Sequence, residues 1–538
     1  MTVRGVADRL LRELAPVDPA AAAALGGEPD SLMPRLAPAD FTSRRLARER
    51  ALRALGAAGP PRSDTEALLA AALSERLASE IALEECGFTR SLLAPLATPV
   101  HQVREVFDAL PRHTPDDWQR VVQHLALVPG ALHDYASTLR ESAARGHVVS
   151  RRQVLSAAAQ CEQWIGGDAY YHRLAASNPD CAGLASGAAM ATTATAEFAA
   201  FLRDELLPLA PEQDGVGRET YAITARAFLG DDVDLDETYA FGWDELARLS
   251  NEMRELATAL GESSIVGAAA RLDADPAQRI DNPRRLLDWL QTRVNETVEA
   301  IDGVHFDLPS AARRPECRIS DASAGVMYYA QPDPAFTRPG RIVWAPTDRT
   351  HTWREVTTLH HEGVPGHHLQ IVTALAEPGL HPWQRAMAHV HGYAEGWAHY
   401  SERLCDELGL LRDSGERLGM LFGQRWRAAR IVIDMGLHLD LPIPHGTGFT
   451  EATRWTPELA VAVLCSASGT QERAARFEVD RYFGWPAQAL AFRIGARLWR
   501  EIREDAQSRP GFDLRTFHMS ALALGPMGLG PLRSALLQ

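Results

Sequence analysis

The sequence predicts a mainly α fold with a small β-hairpin or short sheet. Two observations carry that expectation. Long stretches repeat apolar residues at i, i+3, i+4 and i+7, the period of an amphipathic helix. Strand signals are few, and they sit just ahead of a dense histidine cluster. The chain has 538 residues, 46% of them hydrophobic. That supports a large core, in roughly two to four domain-sized units or one helical body with lobes.

The opening segment "MTVRGVADRLLRELAPVDPAAAAALGGEPD" carries Arg9, Arg12 and Glu13 inside its apolar pattern. It reads as an amphipathic helix and not as a signal peptide. "TEALLAAALSERLASEIALEE" (Thr65 to Glu85) keeps the helical period throughout. "DDWQRVVQHLALVPGALHDYASTLRESAARG" continues it, with a break expected at Pro129-Gly130. "DLDETYAFGWDELARLSNEMRELATAL" starts with acidic residues in its first turn, as a helix N-terminus favours. "NPRRLLDWLQTRVNETVEAI" is a further helix. The strand signals are "GVMYYAQ" (Gly325 to Gln331) and "GRIVWAP" (Gly340 to Pro346), both short and bounded by Gly or Pro. The second could offer a backbone edge to an extended peptide. Loop punctuation at Pro208 to Gly217 and at Asp302 to Pro309 divides the chain into an N-terminal helical lobe (1–210), a helical connecting region (211–305) and a catalytic lobe (306–538).

Composition narrows the partners. A net charge of −15, spread along the chain, does not suit nucleic acid or an anionic membrane. No apolar run approaches the ~20 residues that span a bilayer. The six cysteines are far apart and form no CxxC, the pattern of reduced thiols in a cytoplasmic protein.

Chemistry concentrates in "TTLHHEGVPGHHLQ" (Thr357 to Gln370). A His-Glu pair on a helix with a second His one turn on is the zinc-hydrolase arrangement: two imidazoles bind the ion and the Glu activates water. Here position i+4 from His361 is Pro365, and the next histidines are His367 and His368. In an unbroken helix i+6 lies on the wrong face, and i+7 lies ~10 Å along the axis. A kink at Pro365-Gly366 would absorb two extra residues and return His367 to the ion. Whether His367 or His368 becomes the second ligand turns on that kink. Downstream, "HVHGYAEGWAHYSERL" sets His391, Glu395, His399 and Glu402 along one helix face. Glu395 is the natural third ligand. Two His and one Glu leave a coordination position open, as catalytic sites do, and the other members of the stripe would orient the ligands. Zinc suits this set, and Fe, Ni, Co or Mn also accept imidazole with carboxylate.

"HHEGVPGHHLQ", "GYAEGWAHYSERL" and "RYFGWPAQALAFRIG" (Arg481 to Gly495), with "TLRESAARGHVVSRRQV" and "ETYAFGWDELARLSNEM" upstream, resemble the bacterial domain of unknown function 885 family over nearly the whole chain. That family is regarded as similar in fold to carboxypeptidase Taq-like gluzincin metallopeptidases. The resemblance implies a large two-lobed helical body with a deep cleft. It implies His361, His367 and Glu395 as metal ligands and Glu362 as general base. The family tends to carry Tyr where this chain has Phe492, so any hydroxyl contribution at that position is missing here.

The function expected is zinc-dependent hydrolysis of amide bonds in short peptides, one Zn2+ per chain. Glu362 would take a proton from water and deliver it to the leaving amine. Tyr482, then His368, are the candidate oxyanion donors. Tyr328 and Tyr329 are weaker ones. A substrate carboxylate would call for an Arg, and Arg338, Arg473, Arg481 and Arg493 lie in or near the motifs. The alternatives are a metal-dependent amidase or amide-forming enzyme acting on a small metabolite, and a non-catalytic peptide-binding relative. The presence of Glu362 argues against the last.

Overall fold

The apolar repeats fold as helices whose ends are set by capping side chains. The computed structural model describes residues 2–27, 31–167, 169–320, 327–333, 335–345 and 350–537. Helix α1 (Val3–Leu14) is capped by Thr2, and it buries Val3, Val6, Leu10 and Leu14 on one face. Helix α2 (Asp64–Glu85) starts at Ser63, whose hydroxyl accepts from the Glu66 N–H. Helix α3 (Pro115–Ala144) opens with a reciprocal Thr114–Asp117 capping box and runs through Pro129 without ending. The expected break does not occur. Leu125 and Val128 before Pro129, and Leu132 and Tyr135 after it, are buried in one core with α4 (Leu184–Phe201). Packing on both sides outweighs the lost backbone hydrogen bond. Helix α5 (Leu235–Ala259) is capped by Asp234, and α6 (Pro283–Ile301) by Asn282. The helices around the histidines are α7 (Thr352–Glu362), α8 (His367–Ala376), α9 (His391–Glu407), α10 (Ser414–Leu439), α11 (Glu472–Gly484) and α12 (Ala491–Gln507).

Strands β1 (Arg279–Ile280), β2 (Glu316–Ile319), β3 (Tyr328–Ala330), β4 (Arg341–Trp344) and β5 (Thr350–His351) form two small sheets. β1 pairs with β5, and the larger sheet has the order β2-β4-β3. β4 runs parallel to β2 and antiparallel to β3, with Tyr329 opposite Ile342. Both strand signals are therefore strands of one sheet. Gly325, Val326 and Pro346 of those signals lie outside the described residues. The expectation that "GRIVWAP" offers a free edge is corrected. β4 is central and paired on both sides, and the edges belong to β2 and β3. Ile342, Val343 and Trp344 are all buried, so both faces of β4 are covered, as suits an inner strand.

Two hydrophobic cores form among the described residues. The smaller draws only on residues between Met33 and Ala210. The larger combines α5 to α12 with α1 and α2. The first helices thus pack with the C-terminal part, and residues 1–210 are not one lobe in packing terms. The connecting region is not separate either, because α5 packs along α10. The smaller core docks on the C-terminal part through Arg152, which pairs with Asp480 at 3.0 Å, and through Trp485, whose indole donates to the Leu96 carbonyl at 3.1 Å.

Candidate metal centre

The local chain dictates how the histidines meet. Helix α7 ends at Glu362, four residues intervene, and α8 begins at His367. The Val364–Pro365 peptide is cis. The Gly366 N–H donates to the His360 carbonyl at 3.1 Å, and the His368 N–H to the Gly363 carbonyl at 3.1 Å. A Cβ on Gly366 would overlap the His360 and His361 carbonyl oxygens, so glycine is required for the second helix to start this close to the first. The Pro365 carbonyl accepts from the buried Trp397 indole at 2.8 Å, which ties the break to α9. The kink expected from the sequence is a full stop and restart.

Three atoms that could ligate a metal converge. His361, His367 and Glu395 each offer one within 4.8 Å of the others, and among the described residues no other group of three or more His, Cys, Asp or Glu does so. His361 Nε2 lies 3.2 Å from Glu395 Oε2, and His367 Nε2 lies 3.4 Å from the same oxygen. The two rings meet edge to face with centroids 4.8 Å apart. Glu362 follows His361 directly and is partly buried; burial pushes its carboxyl up.

A buried chain of polar groups holds His361 in place. Its Nδ1 lies 2.8 Å from Glu402 Oε1, which turns Nε2 toward Glu395. Glu402 Oε2 accepts from Gln424 Nε2 at 3.0 Å and lies 3.2 Å from His399 Nδ1. Gln424 Oε1 takes a hydrogen bond from Arg493, and Arg493 pairs with Glu245. The chain crosses α5, α7, α9, α10 and α12. These helices approach closely because small residues line their contact. A Cβ on Gly396 of α9 would come within 2.5 Å of Gly495 Cα on α12. The same contact stacks Phe492 on the His361 ring, centroids 6.0 Å apart and planes 17° apart.

Electrostatics at the meeting point favour positive charge. Burial disfavours a charged His361, yet the hydrogen bonds its ring donates to Glu395 and Glu402 lift its imidazole to about 9. Glu395 is held well below the carboxylate range, against burial, by His361 and His367. Glu402 is likewise held down, against burial, by His399 and His361. Two imidazoles and one carboxylate at one point, with Glu402 behind His361, fit a divalent cation by donor type and by charge.

The other expected site residues lie elsewhere. His368 is fully buried; its Nδ1 meets the Tyr329 hydroxyl at 2.9 Å and its Nε2 meets the Ala312 carbonyl at 3.0 Å. Burial pushes it down to about 4, so it is neutral. Tyr482 is 1% exposed, and its hydroxyl accepts from Arg430 Nε at 3.1 Å, in the layer beyond Phe492. Neither joins the three ligands. Tyr328 is exposed on β3. Among the arginines, Arg493 is consumed by Glu245 and Gln424, and Arg481 by Glu478 and Gln488. Arg338 and Arg473 are exposed. Sequence reasoning missed Gln424 and Arg427. Their signal was readable: Gln424, Arg427, Arg430 and Asp434 form a polar line on α10, a helix buried nearly all round.

Comparisons with known proteins agree on the fold. A crystal structure described as a candidate lipoprotein from Colwellia psychrerythraea superposes with a TM-score of 0.84 at 21% identity, covering 99% of this chain and 98% of that chain. A candidate lipoprotein of unknown function from Shewanella oneidensis gives 0.73 at 16% identity, covering 100% of both. No curated protein matches this sequence. The family model for "Bacterial protein of unknown function (DUF885)" matches residues 19–536, and the chain belongs to that family.

Proposed function

We propose that the protein is a zinc-dependent hydrolase of amide bonds in short peptides. The observation that carries this is the convergence of His361, His367 and Glu395 with Glu362 next in the chain. An ion held there would supply Lewis acidity, polarising a substrate carbonyl and making water more acidic. Glu402 would hold a proton on His361 Nδ1, and an ion would take the place of the proton that Nε2 shares with Glu395. Glu362 takes the proton from the attacking water and hands it to the leaving amine, and its raised carboxyl suits that shuttle. The donor set, and not a relationship to named peptidases, supports the reaction class. Six unpaired thiols support a reducing, cytoplasmic setting. Among the described residues no helix is long and apolar enough to cross a membrane.

The test is metal content and hydrolysis of mixed dipeptides and tripeptides on the same samples. The wild type should carry about one zinc per chain, lost in His361→Ala and Glu395→Gln. Glu362→Gln should keep the metal and lose roughly 10²–10⁴-fold in rate. Metal without peptide cleavage would redirect the assay to small-molecule amides. A wild type that binds no metal after metal supplementation would overturn the reading.

A further inference from the structure

Seven arginines are buried among the described residues, and six have partners. Arg90, Arg293, Arg430 and Arg493 face Glu84, Glu416, Glu478 and Glu245. Arg76 and Arg425 donate to backbone carbonyls. Arg427 is the exception. It is 9% exposed, and no hydrogen bond or ion pair reaches it from the described residues. Its guanidinium rests on two aromatic faces, 4.6 Å from the Trp426 ring and 5.4 Å from the Phe492 ring. Its Nε is sealed and unpartnered, whereas its terminal nitrogens are not among the sealed atoms. Glu402, Glu395 and Glu478 act on it only through space, so a buried guanidinium is left without a hydrogen-bonded carboxylate, which is costly, and its fork geometry matches one.

The position is as telling as the vacancy. Phe492, which carries Arg427, also stacks on His361. The Arg427 charge acts on Glu402, Glu395 and Glu362. Arg427 therefore stands one aromatic ring away from the metal ligands. A peptide residue spans ~3.3–3.6 Å, so one or two residues bridge such a gap.

We propose that Arg427 binds the free carboxylate of the substrate and selects short peptides cleaved within one or two residues of their C-terminal end. This rests on the proposed hydrolase, and its test separates the two. Binding of N-acetyl-alanine and of N-acetyl-alanine amide is measured by calorimetry on the metal-loaded wild type, Arg427→Gln and Arg427→Lys. No turnover is needed, so the outcome stands whether or not peptides are cleaved. The wild type should prefer the acid at least about tenfold. Arg427→Gln should lose that preference at unchanged metal content, and Arg427→Lys should recover part of it. Chelating the metal should leave the wild-type preference in place. If peptides are cleaved, Arg427→Gln should raise KM about ten- to a hundredfold for free-acid peptides and leave their amides unchanged. Equal binding of acid and amide by the wild type would overturn the proposal. So would a preference that vanishes with the metal, because the ion would then be the carboxylate's partner. Loss of metal in Arg427→Gln with acid and amide affected alike would show a guanidinium that only balances Glu395 and Glu402.

Discussion

Glu402→Gln is the sharpest probe of how the chain presents His361. Glu402 is 1% exposed; it accepts from His361 Nδ1 on one oxygen and from Gln424 on the other, beside His399. The substitution keeps the volume and replaces one acceptor oxygen by a donor amide. If the NH2 faces His361, the imidazole must turn its Nδ1 lone pair to it and carry its proton on Nε2, the ligating atom. If the NH2 faces the other way, it meets the Gln424 NH2. One charge-assisted hydrogen bond is lost either way, a loss of about 1.5–3 kcal/mol. At 1.36 kcal/mol per decade that is roughly 10–150-fold in metal affinity, and loss of an outer partner of a ligating His typically costs ~10–100-fold. The two routes agree. The assay is competition for zinc against a chelator of known affinity, with Glu395→Gln alongside. Glu402→Gln should weaken binding within that range while Glu395→Gln abolishes it. An affinity within about twofold of wild type would refute the tautomer argument.

Three further outcomes follow from the geometry. Gly366→Ala places a methyl against the His360 and His361 carbonyls, so α8 must shift. It should cost roughly 1–3 kcal/mol and most of the metal affinity, read by thermal unfolding with and without zinc. Gly396→Ala should force α9 and α12 apart at Gly495 and lower the melting temperature by a similar energy, with weaker metal binding because Phe492 and Arg493 move with α12. Asp434 is fully buried, accepts from Tyr221 and from the Ala487 N–H, and is pushed up to about 7 by burial. Its folded form holds a proton that the unfolded form releases above about pH 4, so its stabilisation is present below pH 4 and is lost as pH rises to 7. At 1.36 kcal/mol per unit the loss reaches about 4 kcal/mol. Asp434→Asn should therefore melt higher than wild type by a margin that grows from pH 4.5 to 7. Parallel melting curves would sink that account.

What the sequence could and could not reveal follows from the range of each interaction. Capping and apolar periodicity act within a few residues, so α5 and α6 start at Asp234 and Asn282, the residues their first turns require. Pro129 shows the limit, because what keeps α3 continuous is α4, some fifty residues away. The convergence of His361, His367 and Glu395 was legible because they sit in two dense motifs, and the spacing itself demanded an interruption at Pro365-Gly366. Tyr482 shows the opposite case. It lies in a conspicuous motif, but its hydroxyl is taken by Arg430, fifty-two positions earlier on α10. Spacing along one helix says which face a residue shares. It does not say which buried partner from another helix has already engaged it. The same reasoning recovers Arg427. On a helix as apolar as α10, a run of Gln424, Arg427, Arg430 and Asp434 implies that each polar group meets a partner inside the protein or a ligand. Gln424 meets Glu402 and Arg493, Arg430 meets Glu478, and Asp434 meets Tyr221. The hydrogen-bond partner that Arg427 lacks among the described residues is the reason to look for it in the substrate.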